Sequence, residues 1–262
     1  MKSRHGSLFW RTASSLVAAP LFLLLLFLGG WPLRVLAAGL ALLGLREYFA
    51  LRLEKRDPAF EFTAYVLLLF FFLPEKSLEW LGFLAVLSLL ALSTAGLFRG
   101  GALLAPTVAV AFFGLWYIGG GFFYLPELRS AGNGMGHLLV AVLTTWAVDV
   151  AAFFVGTILG RHKLAPTLSP GKTVEGALGG LAAGLVVAAV GGHFFGMLPV
   201  ASLGMGLAVG VAAQLGDLVE SSLKRAAGAK ESGSFLPGHG GLLDRFDSLL
   251  FVLPVVYWYW RL

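Results

Sequence analysis

Apolar residues run through this chain in long blocks, with polar residues confined to the gaps between them. The blocks cover about residues 12–29, 31–51, 60–74, 78–98, 101–119, 135–158, 174–197, 199–222 and 246–261. Crossing a hydrocarbon layer of about 30 Å takes roughly 20 apolar residues in a helix. Most of the blocks come near that length, the third being the shortest. Inside such a layer every backbone polar group must pair within its own segment, which a helix achieves. The pattern therefore predicts an all-α fold, a polytopic integral membrane helical bundle of about nine transmembrane helices.

The gaps refine this. A basic arm, MKSRHGSLFWR, precedes the first block. With Leu36-Ala37-Ala38 downstream, that block could pass for a signal peptide; recurrence of the same pattern along the chain favours a retained first helix. Gly29-Gly30-Trp31-Pro32 reads as a turn into the second helix. Alternating nine segments from a cytoplasmic N-terminus leaves fifteen of the nineteen Lys and Arg residues inside and four outside (Arg34, Lys76, Arg129 and Arg261). The positive-inside tendency then favours N-in and C-out, with Tyr257-Trp258-Tyr259-Trp260 as an aromatic belt at the outer interface. No internal repeat or linker is visible. The chain reads as one domain over 1–262, with 1–134 supplying helices and 135–262 carrying helices and polar loops.

Composition agrees. Hydrophobic residues make up 58% and charged residues 13%, against about a quarter charged in soluble domains, and mean hydropathy is +0.85. The net charge of +5 sits at membrane-flanking positions, so it does not indicate nucleic acid. Zero cysteines exclude disulfides, thiolate metal sites and a cysteine nucleophile. Gly176, Gly180 and Gly184, and then Gly206 and Gly210, recur every four residues. Such stripes let helix backbones approach closely, and packing is the preferred reading for them.

One stretch departs from the apolar background. Gln214 to Ser248 holds Asp217, Asp244 and Asp247 out of five aspartates in the chain, with Glu220, Glu231, Lys224, Arg225, Lys230, Arg245 and His239. Asp217 and Glu220 are three apart on a predicted helix, hence on one face; so are Asp244 and Asp247. Two acidic pairs at one membrane depth suit a shared divalent cation, since Mg²⁺ takes one or two carboxylates plus substrate phosphates. Helix-dipole stabilisation is an alternative role for Asp244. Asp149 interrupts TTWAVDVAAFFVG, where an ionised carboxylate is costly and most often faces a polar cavity.

The loop GRHKLAPTLSPGKTVEG sets Ser169, Lys172 and Thr173 just before a helix, a place that suits a phosphate. It is not a Walker A loop, because Pro166 stands where that motif needs glycine. His239-Gly240-Gly241 is unaccompanied by G-x-S-x-G, and no HExxH or paired-histidine zinc site occurs.

These residues carry a resemblance. Ser221-x-Leu223-Lys224-Arg225, Lys230-Glu231-Ser232-Gly233 and Leu236-Pro237-Gly238-His239-Gly240-Gly241-Leu242-Leu243-Asp244-Arg245-Phe246-Asp247-Ser248 together look like the signature of the phosphatidate cytidylyltransferases, or CDP-diacylglycerol synthases. HKLAPTLSPGKTVEG is similar to that family's other marked segment, and Asp149 sits where the family has an aspartate ahead of it. The match is strong from Asp149 onward. Before that it is mainly hydropathy, the basic start and a Glu47-aromatic pair. Two departures exist. Glu231 stands where the family has aspartate and is left out of the metal set, and the segment after Asp149 lacks the family's hydroxyl-Gly-Ala-Tyr flavour.

The resemblance implies that CTP and phosphatidic acid give CDP-diacylglycerol and pyrophosphate. Catalysis would fall to Asp217, Asp244 and Lys224, and Mg²⁺ (with a second cation as an option) to Asp217 and Asp244, with Asp247 in support. Ser169, Lys172, Thr173, Ser221, Arg225, Lys230, His239, Gly240, Gly241 and Arg245 would bind substrate. It also implies a bacterial-type inner membrane, an active site facing the cytoplasm, lipid entering sideways from the bilayer, and a homodimer through the glycine-bearing helices. A CTP-dependent polyprenol or dolichol kinase is the nearest rival. A transporter is disfavoured because the acids cluster at one face rather than at the bilayer midplane.

Overall fold

The computed structural model describes residues 20–53, 58–73, 78–97, 104–233 and 240–261. Helix α1 (residues 20–28) gives way to α2 (Gly30–Arg52) across Gly29 and Gly30, whose φ angles of 61° and 53° are open to glycine at little cost. The helices α3 (Pro58–Phe70), α4 (Leu78–Leu97) and α5 (Leu104–Gly114) follow. A π-helical turn (Leu115–Gly119) runs α5 directly into α6 (Gly120–Ser130). Then come α7 (Gly134–Leu159), α8 (Val174–Phe194), α9 (Pro199–Ala226) and α10 (Leu243–Tyr259).

Helices dominate, as the apolar blocks predict, with one departure from an all-α fold. Between α7 and α8, β1 (Lys163–Ala165) and β2 (Ser169–Thr173) form an antiparallel hairpin in which Lys163 faces Thr173 and Ala165 faces Ser169. Pro166 and Pro170 explain it, because proline biases the residue before it toward extended backbone. Three element ends also move. The fifth block continues through Gly119-Gly120-Gly121 to Ser130, where a glycine triplet suggests a break. A Cβ on Gly119 would lie 3.1 Å from Leu68, and one on Gly121 would lie 3.1 Å from the Leu250 carbonyl oxygen. The triplet is a place of close helix contact. Helix α9 runs on to Ala226 and α10 starts at Leu243, so Lys224, Arg225 and Asp244 all lie on helices.

Among the described residues, four helices are long and apolar enough to cross a membrane: Pro106–Ser130, Gly134–Leu159, Val174–Phe194 and Pro199–Ala226. Their outward positions are apolar, with Phe153 67% and Val186 63% exposed. Helix α8 packs along both α7 and α9, and α9 along α10. The glycine stripes make this possible. A Cβ at Gly176 would meet the Ala152 carbonyl oxygen at 2.7 Å, and one at Gly180 the Val148 carbonyl oxygen at 2.9 Å. Gly206 and Gly210 sit similarly against Ala188 and Leu181. These faces are thus occupied by contacts within the chain.

Alternating helix direction gathers the C-terminal ends of α2, α7 and α9, the N-terminal ends of α8 and α10, and the hairpin at one end of the bundle. The opposite end is held by Arg34, whose Nη2 reaches Glu127 Oε1 at 3.1 Å, and by Arg129, which donates to the Leu26 and Phe27 carbonyls that end α1. There the terminal aromatics find partners inside the protein. Trp260 stacks on His137 with ring centres 3.9 Å apart, and Tyr259 Oη donates to the Ala201 carbonyl.

Candidate active site

Asp217 and Asp247 are held on two helices that touch at a glycine. A Cβ on Gly216 would lie 2.6 Å from the Asp247 carbonyl oxygen, so α9 and α10 approach backbone to backbone just where each carries a carboxylate. Asp149, Asp217, Glu231, Asp244 and Asp247, with Lys224, Arg245 and Ser248, line one cavity of about 350 Å³. The two acidic pairs named from spacing therefore share a site, except that Glu220 is buried behind it and pairs with Lys224.

Asp244 is the most heavily bonded of these groups. Its Oδ1 receives Lys224 Nζ at 2.6 Å. Its Oδ2 accepts from Gly241 N at 2.9 Å, Ser232 N at 3.0 Å and Ser232 Oγ at 3.1 Å. Lys224 also reaches Glu220 Oε2 at 2.5 Å. A half-buried ion pair is stable only where further donors satisfy the remaining lone pairs, and the Lys230–Asp244 stretch supplies them. Gly240, at φ 81°, turns the chain to aim the Gly241 amide inward.

The hairpin walls a second cavity of about 460 Å³ beside the first. Ser169, Gly171, Lys172 and Thr173 meet Ala152, Phe153 and Gly156 of α7 there, and Asp149 and Asp217 line both cavities. Lys172 Nζ lies 2.7 Å from Asp217 Oδ2. Thr173 caps α8, its hydroxyl accepting from Gly176 N at 3.1 Å. Glu175 fastens the hairpin base by accepting from Arg161 N and His162 N and meeting His162 Nδ1 at 2.6 Å. The second cavity thus has one polar edge and one apolar wall.

The other residues named from the sequence fall in different places. Ser221 Oγ donates to Asp217 Oδ1 at 3.4 Å. Arg225 is exposed and ties the hairpin to α9, donating to the Leu168 and Ala229 carbonyls; Lys230 is exposed. Neither of these two lines either of the cavities described above. His239 lies outside the described residues. Glu231, left out of the metal set, lines the polar cavity, and so does Asp149. Ser248 was not singled out at all, since a serine in a signature carries no signal of its own orientation.

Five carboxylates against Lys224 and Arg245 leave the polar cavity with an excess of negative charge. A polyanion would be repelled from it unless cations entered too. Hard oxygen donors are what Mg²⁺ takes. Among the described residues no three His, Asp or Glu side chains close on one point as a metal shell; Mg²⁺ can take one or two carboxylates and complete its shell from phosphate. On donor chemistry, the site fits such an ion.

The sequence model of the family described as Cytidylyltransferase family matches residues 9–262. The chain is 38% identical over 259 residues to a phosphatidate cytidylyltransferase of Staphylococcus aureus (strain COL), covering 94% of this chain and 96% of that protein. Proteins of the same name from Staphylococcus haemolyticus and Staphylococcus saprophyticus are 36% and 37% identical over the same coverage. With acidic and basic groups converging at one end of an apolar bundle, and with matches that run nearly end to end, this chain belongs to the cytidylyltransferase family.

Proposed function

We propose that the protein transfers the cytidylyl group of CTP to phosphatidic acid, giving CDP-diacylglycerol and pyrophosphate. The observation that carries the reading is the pair of adjoining cavities, one charged and one with an apolar wall, that share Asp149 and Asp217. That is the shape needed to bring a nucleotide from water against a lipid head group. A phosphate oxygen of phosphatidate attacks the CTP α-phosphorus, the bond from that phosphorus to the bridging oxygen breaks, and pyrophosphate leaves with the electron pair. No covalent enzyme intermediate is required, so catalysis is positioning and charge neutralisation.

Lys172, Lys224 and Arg245 offset phosphate charge, while Asp217 and Asp244 keep the first two lysines aimed. One or two of Asp217, Asp244 and Asp247 would hold Mg²⁺, leaving the other carboxylates for a second cation; when bound it would screen phosphate oxygens as a Lewis acid. The full set of nine spans, N-in and C-out in a bacterial inner membrane, is part of the same reading and puts the cavities at the cytoplasmic face. A homodimer belongs to the same reading.

Label transfer tests this directly. Purified protein given phosphatidate, Mg²⁺ and CTP labelled at the α-phosphorus should move the label into lipid. A lipid kinase moves only the γ-phosphoryl group, so label that stays in the nucleotide while lipid becomes phosphorylated would sink the proposal. Lys172→Ala should reduce kcat/KM for CTP by roughly 10- to 100-fold, the worth of about one hydrogen bond to a charged group; an unchanged CTP titration would remove Lys172 from the site.

A further inference from the structure

Helix α10 begins without a cap of its own. Its N-cap residue is Leu242, which has no side-chain acceptor, although the first N–H groups of a helix need partners. The acceptor comes from α2. Glu47 Oε2 accepts from Leu243 N at 3.1 Å, across 196 positions of sequence, and lies 3.3 Å from Ser232 Oγ. Ser232 has one hydroxyl proton to share between Glu47 and Asp244 Oδ2, and its oxygen accepts from Asp244 N at 3.3 Å. The chain makes room for this carboxylate with glycine. A Cβ on Gly233 would fall 2.7 Å from Glu47 Oε1, and one on Gly241 would fall 2.6 Å from Glu47 Oε2.

We propose that Glu47 is a positioning residue for the reaction: its carboxylate caps α10 from outside and holds Ser232 and Asp244 in register with Lys224. This rests on reading the polar cavity as the cytidylyl-transfer centre. Glu47 lines neither that cavity nor its neighbour and acts through Leu243 and Ser232. An acidic oxygen at a helix start is favoured by both hydrogen bonding and the helix dipole. The N-terminal half thus contributes to the site through reach rather than through contact with substrate.

The role depends on an acceptor at a given distance, so three variants of the full chain separate it from a role of charge alone. Glu47→Gln keeps an acceptor oxygen at the same reach and should retain most of the turnover. Glu47→Asp keeps the charge but is one methylene short, and should lose about 10- to 100-fold in kcat, the usual cost of removing a supporting partner. Glu47→Ala should lose as much. Amide exchange at Leu243 should quicken in the Asp and Ala variants and stay slow in Gln. The reverse order, Asp active and Gln inactive, would overturn the proposal. So would unchanged kcat and unchanged Leu243 exchange in Asp. Should Ala fail to fold, the Asp–Gln comparison still decides. Should the wild-type protein transfer no cytidylyl group, the functional reading falls, and Leu243 exchange alone still reports whether Glu47 caps α10.

Discussion

Asp244→Asn is expected to lower cytidylyl transfer by about 10²- to 10³-fold, a loss on the scale of removing a preorganised charged partner from a reacting centre. Asp244 takes four donors on two oxygens. An asparagine has one acceptor oxygen and an NH₂ group that would confront either Lys224 Nζ or the Gly241 and Ser232 donors. Whichever way the amide turns, the lysine or the loop is released. The protein should nevertheless fold, because Lys224 keeps Glu220 as its second partner, and the expected stability loss is about 1–3 kcal/mol. Turnover with phosphatidate and CTP, measured beside a thermal unfolding scan in detergent, checks both halves. Turnover within a few-fold of wild type would take Asp244 out of the reaction.

Gly216→Ala is the second large effect, and it adds a single methyl group. The new Cβ would sit 2.6 Å from the Asp247 carbonyl oxygen and 3.2 Å from Phe251 Cβ. A backbone atom cannot swing aside as a side chain does, so α9 and α10 must part, at a cost of about 1–3 kcal/mol. Asp217 is the next residue on one helix and Asp247 is the residue struck on the other. A shift of about 1 Å between reacting groups can cost about 10²-fold in rate, and activity should fall by that order together with the unfolding midpoint. Gly82→Ala is the control: nothing lies within 4 Å of the added methyl, and turnover should be unchanged. A Gly216→Ala protein running at the wild-type rate would mean that the close approach does not set the carboxylate spacing.

The sequence carried much of the site because its chemistry is concentrated. Asp217, Lys224, Asp244, Arg245 and Asp247 stand out as charges amid apolar helices, and all of them line or border one cavity. Ser169, Lys172 and Thr173 stand out through their loop and line the next. Arg225 carries the same signal and braces the hairpin through the Leu168 carbonyl; a basic residue in a signature looks alike whether it meets phosphate or a backbone oxygen. Glu231, left out of the metal set because it stands where the family has aspartate, lines the polar cavity.

By itself, then, the amino-acid order determined that this is a helical protein with membrane-length apolar segments, and which side chains could do charged chemistry. Both are local properties, set by run length and residue type. Tertiary packing alone decided that Gly119-Gly120-Gly121 lies within a continuous helix and that Glu47 caps a helix 196 positions away. Each of those depends on which backbone comes within a few ångströms of which, and no periodicity along a chain encodes a distance across it.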